Sequence, residues 1–545
     1  MKAARWFWIG WILALAGTWF SRPPLPPDEL RYLSVSWEMW DTGSLLVPVL
    51  NGAPYSHKPP LLFWGHQLGW KLFGVNAWWP RLMQAAGAAL VLLLLARLAR
   101  ALAPRSPQAP ACALLLYGGG LIFQLYSGSI LFDLWLTCFV LLSWLGLLRA
   151  CPAEAGQAAS PRSGWLIFSL ATAAALLTKG PAAFLSILPP ALLLPLWAPP
   201  RSVGKRAWLG LAVAVLAACG LTLAWALPAA RAGGAEYGNA ILYGQTAGRL
   251  HDSFAHARPF WWYLALLPAM TLPWTFLPAL WHRRPPSSGQ EDHRALARFG
   301  LCAFLPALLL FSAVSGKQPH YLFSALGGLV LLATARLAPI PQLASPAFTK
   351  ALFGIGALCL AALPPVLILV GIQQTAGSSL LMVLTGAAGA AFLGLAAFRF
   401  GRRESVAPNT AQTLGRLALF FPIFFLALHL ILKPVFLERY SWQEPATAIA
   451  SAQAEGRPTA FFGATYHGHF HFLGRLHAPV ANPASALDQR KWLKENPNGL
   501  VALLLDKESD PRLRELASSV QISGTRHLAL WRAADLAPLL EPYQR

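Results

Sequence analysis

The sequence predicts an all-α polytopic membrane protein that ends in a small α/β domain. Of the 545 residues, 56% are hydrophobic and only 12% are charged, and the mean hydropathy is +0.48. Soluble proteins carry about 25% charged residues. Long apolar runs fill the first part of the chain, whereas half of the 22 acidic residues lie after residue 437. We therefore predict a transmembrane domain at 1–436 and a C-terminal domain at 437–545.

Thirteen apolar segments are candidate membrane spans, because a span needs about 20 apolar residues. They are 5–21, 80–99, 109–126, 130–149, 164–178, 181–198, 207–228, 260–281, 299–314, 321–337, 351–372, 378–398 and 415–433. The first is expected to be retained, since no small-residue cleavage site follows it. Basic clusters between the spans fit the positive-inside rule, and with thirteen spans they place the C-terminus outside, which is the periplasm if the cell is Gram-negative.

The net charge of +21 does not indicate nucleic-acid binding, because the basic residues sit in short loops between apolar runs. The six cysteines lie in or beside apolar runs without metal-ligand spacing. They are expected to be small buried hydrophobic side chains. Disulfide frameworks and cysteine metal sites are therefore not predicted.

The first outward loop, residues 22–79, is long but not hydrophilic. Leu30, Leu33, Trp37 and Trp40 recur at helical spacing. This pattern predicts an amphipathic helix in the membrane interface, followed by a second one at 60–73. The alternative is a folded loop packed on the helix bundle. Either arrangement places the polar residues of the loop near the membrane surface.

Three carboxylates are candidates for chemistry on that surface. Asp28 and Glu29 follow a proline run, and Asp133 lies at the edge of an apolar span. A carboxylate in such a span is costly and is a functional candidate by default. The alternatives are that Asp28 only caps a helix and that Asp133 reaches interfacial water. Asp28 and Asp133 could share one cavity and bind an acceptor, a metal or a proton.

Cations on the outward side run against the positive-inside bias, and phosphate binding is the simplest reason for them. The alternative is contact with lipid headgroups. Histidines in the same loops, together with the carboxylates, could bind a divalent metal cation, but no spacing identifies one. No other cofactor is predicted. The cations and histidines concerned are Lys58, Arg249, Arg258, Lys317, His57, His251, His256 and His320.

The C-terminal domain shows alternating helical and extended patterns. Short strands are expected at 459–462, 499–505 and 527–531, and no nucleotide-binding glycine motif occurs. His467, His469 and His471 alternate along the chain. We interpret them as a solvated histidine cluster in preference to a metal site.

Several of these motifs together resemble bacterial lipid A aminoarabinose transferases and the wider GT-C glycosyltransferase group, which includes protein mannosyltransferases. The matching stretches are Pro27-Asp28-Glu29-Leu30-Arg31-Tyr32, Gly52-Ala53-Pro54-Tyr55, Lys58-Pro59-Pro60, Phe132-Asp133, Thr178-Lys179-Gly180-Pro181, 256–263 and Ser315-Gly316-Lys317 with Tyr321. The resemblance implies a GT-C-like fold with thirteen spans. It also implies an undecaprenyl-phosphate-linked sugar donor and no nucleotide sugar.

By this resemblance Asp28 is the main catalytic carboxylate, with Asp133 and Glu29 beside it. Lys58, Arg249 or Arg258, Lys317 and Tyr321 are expected to hold the donor phosphate. Tyr32, Tyr55, His57, His251 and His256 are expected to line the pocket. His57 departs from the family, whose aminoarabinose transferases commonly carry a glutamate there. This departure weakens the case for a metal site and for an amino sugar.

The predicted function is therefore inverting transfer of a pentose or aminopentose from undecaprenyl phosphate to a lipid A phosphate at the periplasmic face. The protein is expected to act as a monomer in contact with the bilayer. Protein or another envelope glycan is the alternative acceptor. An alternative of another class is a transporter for a lipid-linked sugar, but such proteins place polar or broken helices near the bilayer midplane.

Overall fold

The computed structural model describes residues 2–153, 159–248, 257–281, 290–340, 343, 346–370, 376–402, 409–506 and 508–540. Helices dominate the chain as far as Tyr440. They are α1 (Lys2–Ser21), α2 (Asp28–Asp41), α3 (Leu61–Phe73), α4 (Trp78–Leu102), α5 (Ala109–Gly118), α6 (Leu121–Ser127), α7 (Asp133–Ala150), α8 (Pro161–Lys179), α9 (Phe184–Leu192), α10 (Leu194–Trp197), α11 (Lys205–Ala232), α12 (Gly234–Asn239), α13 (Trp262–Met270), α14 (Gln290–Ala313), α15 (Leu326–Leu337), α16 (Pro346–Leu369), α17 (Ala376–Phe400), α18 (Thr410–Leu417) and α19 (Phe420–Tyr440). The all-α membrane architecture is thus confirmed.

The predicted spans coincide with helices, but not all of them are long. Among the described residues, eight helices are long and apolar enough to cross a membrane, or nine if the pair α5–α6, bent by 66°, is one span. The predicted segment 260–281 is not one continuous helix. It contains the nine-residue α13 and then short 3-10 turns. Pro273 and Pro278 lack a backbone N–H donor, which disfavours a continuous helix through this part of the segment.

The run from Pro161 to Leu192 counts as one apolar helix by length, yet its two halves run in opposite directions. The N-terminal end of α8 lies beside the end of α7, where the Ser160 N–H donates to the Arg149 carbonyl at 2.9 Å. Its last residue, Lys179, reaches Asp133 at the start of α7. The chain then returns, and the Ser202 hydroxyl donates to the Pro152 carbonyl. The reversal occurs at Gly180, whose φ of +69° suits glycine. The predicted tight turn is therefore confirmed.

The first loop forms two helices and a hairpin, β1 (Val49–Leu50) with β2 (Ala53–Pro54). Helix α3 matches the predicted second helix. Helix α2 differs from the predicted interfacial helix, because most of its residues from Glu29 to Met39 are buried on all sides. The folded-loop alternative describes it better. Its buried polar residues, Ser34, Ser36 and Glu38, all find protein partners.

The C-terminal region, residues 441–540, contains strands as predicted. The strands are β3 (Thr459–Phe462), β4 (Leu500–Leu505), β5 (Ser519–Ser523) and β6 (Arg526–Arg532), and the helices are α20 (Gln443–Ala454), α21 (His471–Gly474), α22 (Ala486–Glu495), α23 (Arg512–Glu515) and α24 (Ala533–Leu540). The sheet order is β3-β4-β6-β5, with β3 and β4 parallel and the other pairs antiparallel. Strand β5 was not predicted, because its residues are mostly polar and none of them is buried.

This sheet is covered on both faces, so its strands read as continuous apolar runs. Phe461 packs in the cluster on the α20 side, and Phe462 packs in the cluster on the other side. Leu30 of α2 belongs to the first of these clusters. The boundary predicted after residue 436 lies inside α19, which continues to Tyr440.

The histidine cluster is not solvated as expected. His469 and His471 are 6% and 2% exposed. Burial lowers the pKa of His469 to about 3 and that of His471 to about 4. The Tyr466 hydroxyl lies 2.7 Å from His471 Nδ1. Alternation along the chain did not reveal burial, because these residues form a turn packed between α2 and the sheet.

Candidate functional site

Asp28 is the first residue of α2. Pro27 is the N-cap and makes no side-chain cap bond, so Asp28 does not serve as the N-cap. Its carboxylate pairs with Arg31 one turn later, and the side chain remains 41% exposed. A carboxylate in the first turn is favoured by the helix dipole. Asp28 is therefore mounted on a buried helix while its own oxygens remain accessible.

Glu29 points the other way and is buried. Its carboxylate pairs with Arg22 and accepts the Leu25 and Ile130 backbone N–H groups at 2.7 Å each. Arg22 also donates to the Gly128 carbonyl at 3.0 Å. These bonds join the end of α1, the start of α2 and the loop before α7. Burial raises the pKa of Glu29, but Arg22 and the N–H donors outweigh it, and the net pKa lies below its ordinary value.

Glu29→Gln is expected to lower the stability of the protein by about 3 to 5 kcal/mol, because it leaves Arg22 buried without a counter-charge. A lowered folded pKa stabilises the protein above the unfolded pKa of about 4.3, and this stability is lost as pH falls through the folded pKa. Thermal unfolding in detergent at stepped pH should therefore show a shallower acid limb in the variant. Glu444→Gln, an exposed helical site, is the control. Equal midpoints for Glu29→Gln and wild type would contradict the structural role.

Asp133 is the first residue of α7 and is buried. Its Oδ1 lies 2.5 Å from Lys179 Nζ, and the two side chains are only 6% and 12% exposed. The alternative that Asp133 reaches interfacial water therefore does not describe it. The Lys179 ammonium also lies 4.5 Å from the centroid of the Tyr321 ring. This arrangement brings together the start of α7, the end of α8 and the turn that contains Tyr321.

Aromatic side chains of the first loop pack against Phe132, the residue before Asp133. Phe132 packs edge-on against Tyr32 at 4.8 Å and Phe63 at 5.5 Å, measured between ring centroids. Lys58 Nζ lies 6.0 Å from the Phe132 ring centroid. Tyr55 is buried and stacks on the exposed His57 ring at 5.3 Å. The first loop thus places Lys58, Tyr32 and Tyr55 near the start of α7.

His320 is a partly buried histidine on which the charges of the carboxylates and lysines act together. Burial lowers the pKa of His320 to about 4, and the charges of Asp133, Lys179, Asp28 and Lys58 all act on the ring. Its Nδ1 lies 3.5 Å from the Tyr126 hydroxyl. The imidazole is therefore neutral at pH 7. The charges of two carboxylates and two lysines therefore act on this one ring.

Lys317 is held by backbone carbonyls. Its ammonium group donates to the Arg258 carbonyl at 2.9 Å and the Val314 carbonyl at 2.6 Å, and the residue is 3% exposed. It therefore has backbone partners where sequence analysis expects a phosphate ligand. Arg258 is exposed. Arg249, His251 and His256 lie outside the described residues.

Sequence analysis assigned no role to Lys179, which is the partner of Asp133. The available signal was a lone lysine at a turn between two apolar segments. Arg22 and Tyr126 were also missed, because their partners are far away along the chain. For the metal question, the described part of the chain contains no group of three or more His, Cys, Asp or Glu side chains that could hold an ion.

Known proteins are similar to this chain in sequence and in fold. The sequence model of the dolichyl-phosphate-mannose-protein mannosyltransferase family matches residues 57–225. Undecaprenyl phosphate-alpha-4-amino-4-deoxy-L-arabinose arabinosyl transferase from Pseudomonas paraeruginosa is 34% identical over 405 residues, which are 71% of this chain and 69% of that protein. The protein of the same name from Erwinia tasmaniensis is 30% identical over 356 residues, 63% and 61% of the two chains.

Solved structures agree on the fold. The crystal structure of ArnT from Cupriavidus metallidurans bound to undecaprenyl phosphate has a TM-score of 0.71 at 21% identity, and covers 98% of this chain and 99% of that one. The apo structure of the same protein has a TM-score of 0.72 at 19% identity over the same shares. The similarity extends through the C-terminal region as well as the helix bundle.

Proposed function

The chain belongs to the family of undecaprenyl phosphate-alpha-4-amino-4-deoxy-L-arabinose arabinosyl transferases, and from this premise we propose that it transfers an aminopentose from undecaprenyl phosphate to a lipid A phosphate. It is an integral inner-membrane glycosyltransferase. The transfer takes place at the periplasmic face, on the side where α2 and α7 begin.

One observation carries this proposal. The Asp133–Lys179 pair lies at the start of α7, and Lys58 lies 6.0 Å from the ring centroid of the adjacent Phe132. The charges of these three groups and of the accessible Asp28 carboxylate all act on His320. Such a site has cations for a lipid phosphate and a carboxylate for the sugar or its acceptor. Interior polar groups of this kind are costly beside a bilayer and indicate function.

The chemistry is a single displacement with inversion. An acceptor phosphate oxygen attacks the anomeric carbon of the donor sugar, and the bond from that carbon to the donor phosphate oxygen breaks. The electron pair leaves with undecaprenyl phosphate, whose developing charge Lys58 and Lys179 stabilise. A phosphate acceptor needs little deprotonation, so Asp28 orients it or stabilises positive charge on the sugar. Glu29 acts as a positioning residue, because its carboxylate is already held by Arg22.

The two lysines of the predicted phosphate site are expected to behave differently. Lys58→Ala should raise the KM for the donor about 10- to 100-fold, the loss of one charge-assisted hydrogen bond. Lys317→Ala should instead lower the Tm, because it leaves the Val314 and Arg258 carbonyls without their donor. Transfer kinetics and thermal unfolding of both variants test this. Unchanged donor KM in Lys58→Ala, or a Lys317→Ala protein as stable as wild type, would reverse the assignment.

The experiment that tests the proposed function is mass spectrometry of lipid A from cells with and without this gene. The deleted strain is complemented with wild type or with Asp28→Asn. A pentose or aminopentose increment that only wild type restores supports the proposal and identifies the sugar. An unchanged lipid A profile, with the purified protein inactive on lipid A and the undecaprenyl-phosphate-linked donor, overturns the acceptor assignment.

Protein is the second candidate acceptor. The mannosyltransferase family model matches residues 57–225, which include Lys58, Asp133 and Lys179, and His57 departs from the glutamate expected of aminoarabinose transferases. A glycoprotein lost on deletion of the gene would favour this acceptor. Either covalent product would exclude a transporter that only moves the lipid-linked sugar.

A further inference from the structure

The C-terminal region contacts the helix that carries Asp28 more closely than a separate domain would. Ser34 in α2 is fully buried. Its hydroxyl donates to the Gly468 carbonyl at 2.5 Å and accepts the Phe472 N–H at 3.1 Å. One turn further along the helix, the Trp37 indole N–H donates to the Leu476 carbonyl at 2.9 Å. The segment 466–480 thus runs along one side of α2.

The same segment holds the hairpin that follows α2. The side-chain amide of Asn51 donates to the Val480 carbonyl at 2.9 Å, and its oxygen accepts the Val480 N–H at 2.8 Å. The Asn51 and Gly52 N–H groups donate to the Glu38 carboxylate at 2.6 and 2.8 Å. These paired bonds tie the hairpin to α2 and to the C-terminal region at once. Lys58 follows only a few residues later.

The backbone of Gly468 lies close to α2 and to the hairpin. Its φ is +77°, and a Cβ there would lie 2.5 Å from Leu50 Cδ1 and 3.0 Å from Ser34 Cβ. A larger residue at this position would displace the end of the Leu50 side chain and press on Ser34 of α2. Burial lowers the pKa of His467, and the charges of Arg31 and Asp28 also act on its ring. The charges of the Asp28–Arg31 pair therefore reach the turn that contacts α2.

We propose that segment 466–480 of the C-terminal region is a clamp that positions α2, and with it Asp28, for transfer. Ser34 and Gly468 are positioning residues that act through the Asp28 helix. The helix bundle alone supports α2 mainly through α3 and the loop before α7, where Ser36 lies 2.7 Å from His66 Nδ1 and Ile130 contacts Glu29. Without the clamp, one side of α2 and its buried Ser34 and Trp37 would be exposed.

The chain offers a matched control for the test. Gly456 also lies in the C-terminal region and has a φ of +71°, but a Cβ there would meet nothing within 4 Å. Gly468→Ala and Gly456→Ala therefore introduce the same backbone strain, and only the first disturbs the contact with α2. Ser34→Ala is a smaller change that removes only the two hydrogen bonds to Gly468 and Phe472. It serves if Gly468→Ala fails to fold.

The experiment combines hydrogen exchange with transfer kinetics on the full-length protein in lipid nanodiscs. We expect Gly468→Ala to speed exchange of the amides at 28–41 and to lower kcat roughly 10- to 100-fold, because a small misplacement of a catalytic group is costly. The donor KM should change far less than kcat. Gly456→Ala should match wild type in both measurements.

Unchanged exchange at 28–41 in both Gly468→Ala and Ser34→Ala would overturn the clamp. So would faster exchange with normal kcat, since α2 would then not need to be held. The turnover measurement rests on the proposed function, whereas the exchange measurement does not. A wild-type protein that is inactive on the undecaprenyl-phosphate-linked donor would contradict the proposed function. The exchange measurement would still decide whether the C-terminal region holds α2 in place.

Discussion

Asp28→Asn is expected to lower transfer about 10²- to 10⁴-fold, the range found for positioned acid, base or charge-stabilising groups. The amide keeps the size of the side chain but removes the negative charge that we propose acts on the sugar and its acceptor. Folding should be nearly unaffected, because the Asp28 side chain is 41% exposed and its pair with Arg31 is near the surface. Single-turnover transfer from the undecaprenyl-phosphate-linked donor to lipid A measures the effect.

Asp535→Asn is the matched control for this prediction. It places the same substitution in the first turn of another helix, α24, where the residue is exposed. Transfer by this variant should stay close to that of wild type. An Asp28→Asn protein that is stable and fully active would remove Asp28 from the chemistry.

Lys179→Met is expected to abolish measurable transfer and to destabilise the protein by about 3 to 5 kcal/mol. Truncating one partner of a buried ion pair leaves the other charge without compensation. Asp133→Asn should have the same two effects, because the pair is 2.5 Å apart and both side chains are largely buried. The two roles of the pair can be separated in the double variant.

The double variant Asp133→Asn/Lys179→Met should regain most of the lost stability, because it leaves no uncompensated charge, and should remain inactive. Thermal unfolding and transfer assays on all three variants form a double-mutant cycle. Lys71→Met, an exposed lysine at the end of α3, is the control. Recovery of transfer in the double variant would show that the pair is only structural.

Local patterns predicted much of this molecule. Apolar runs of about 20 residues predict membrane helices, because in lipid the backbone N–H and C=O groups must be hydrogen-bonded within the helix itself. The helical architecture could therefore be predicted from these runs. The alternating pattern after residue 440 was enough to predict three of the four strands. Asp133 could be selected because a carboxylate inside an apolar run is costly. Strand β5 was missed because an exposed edge strand carries no apolar signal.

Partnerships between distant residues could not be predicted in the same way. Glu29 and Asp28 are neighbours in sequence with the same chemistry, yet one is buried against Arg22 and the other faces outward. Lys317 and Lys58 both follow the pattern of an outward cation, yet the Lys317 ammonium donates to two backbone carbonyls, whereas the Lys58 ammonium lies 6.0 Å from the Phe132 ring centroid. Side-chain environment depends on which segments meet, and spacing along one segment does not contain that information.

The sequence by itself determined the class of the protein, the positions of its helices and the residue types available for chemistry. These depend on hydropathy and on local backbone preferences, which are properties of short stretches. Only the tertiary structure decided that Lys179 pairs with Asp133 and that the charges of Asp28 and Lys58 both act on His320. It also decided that the C-terminal region contacts α2. Each of these joins residues from separate segments, and such contacts form only when the whole bundle packs.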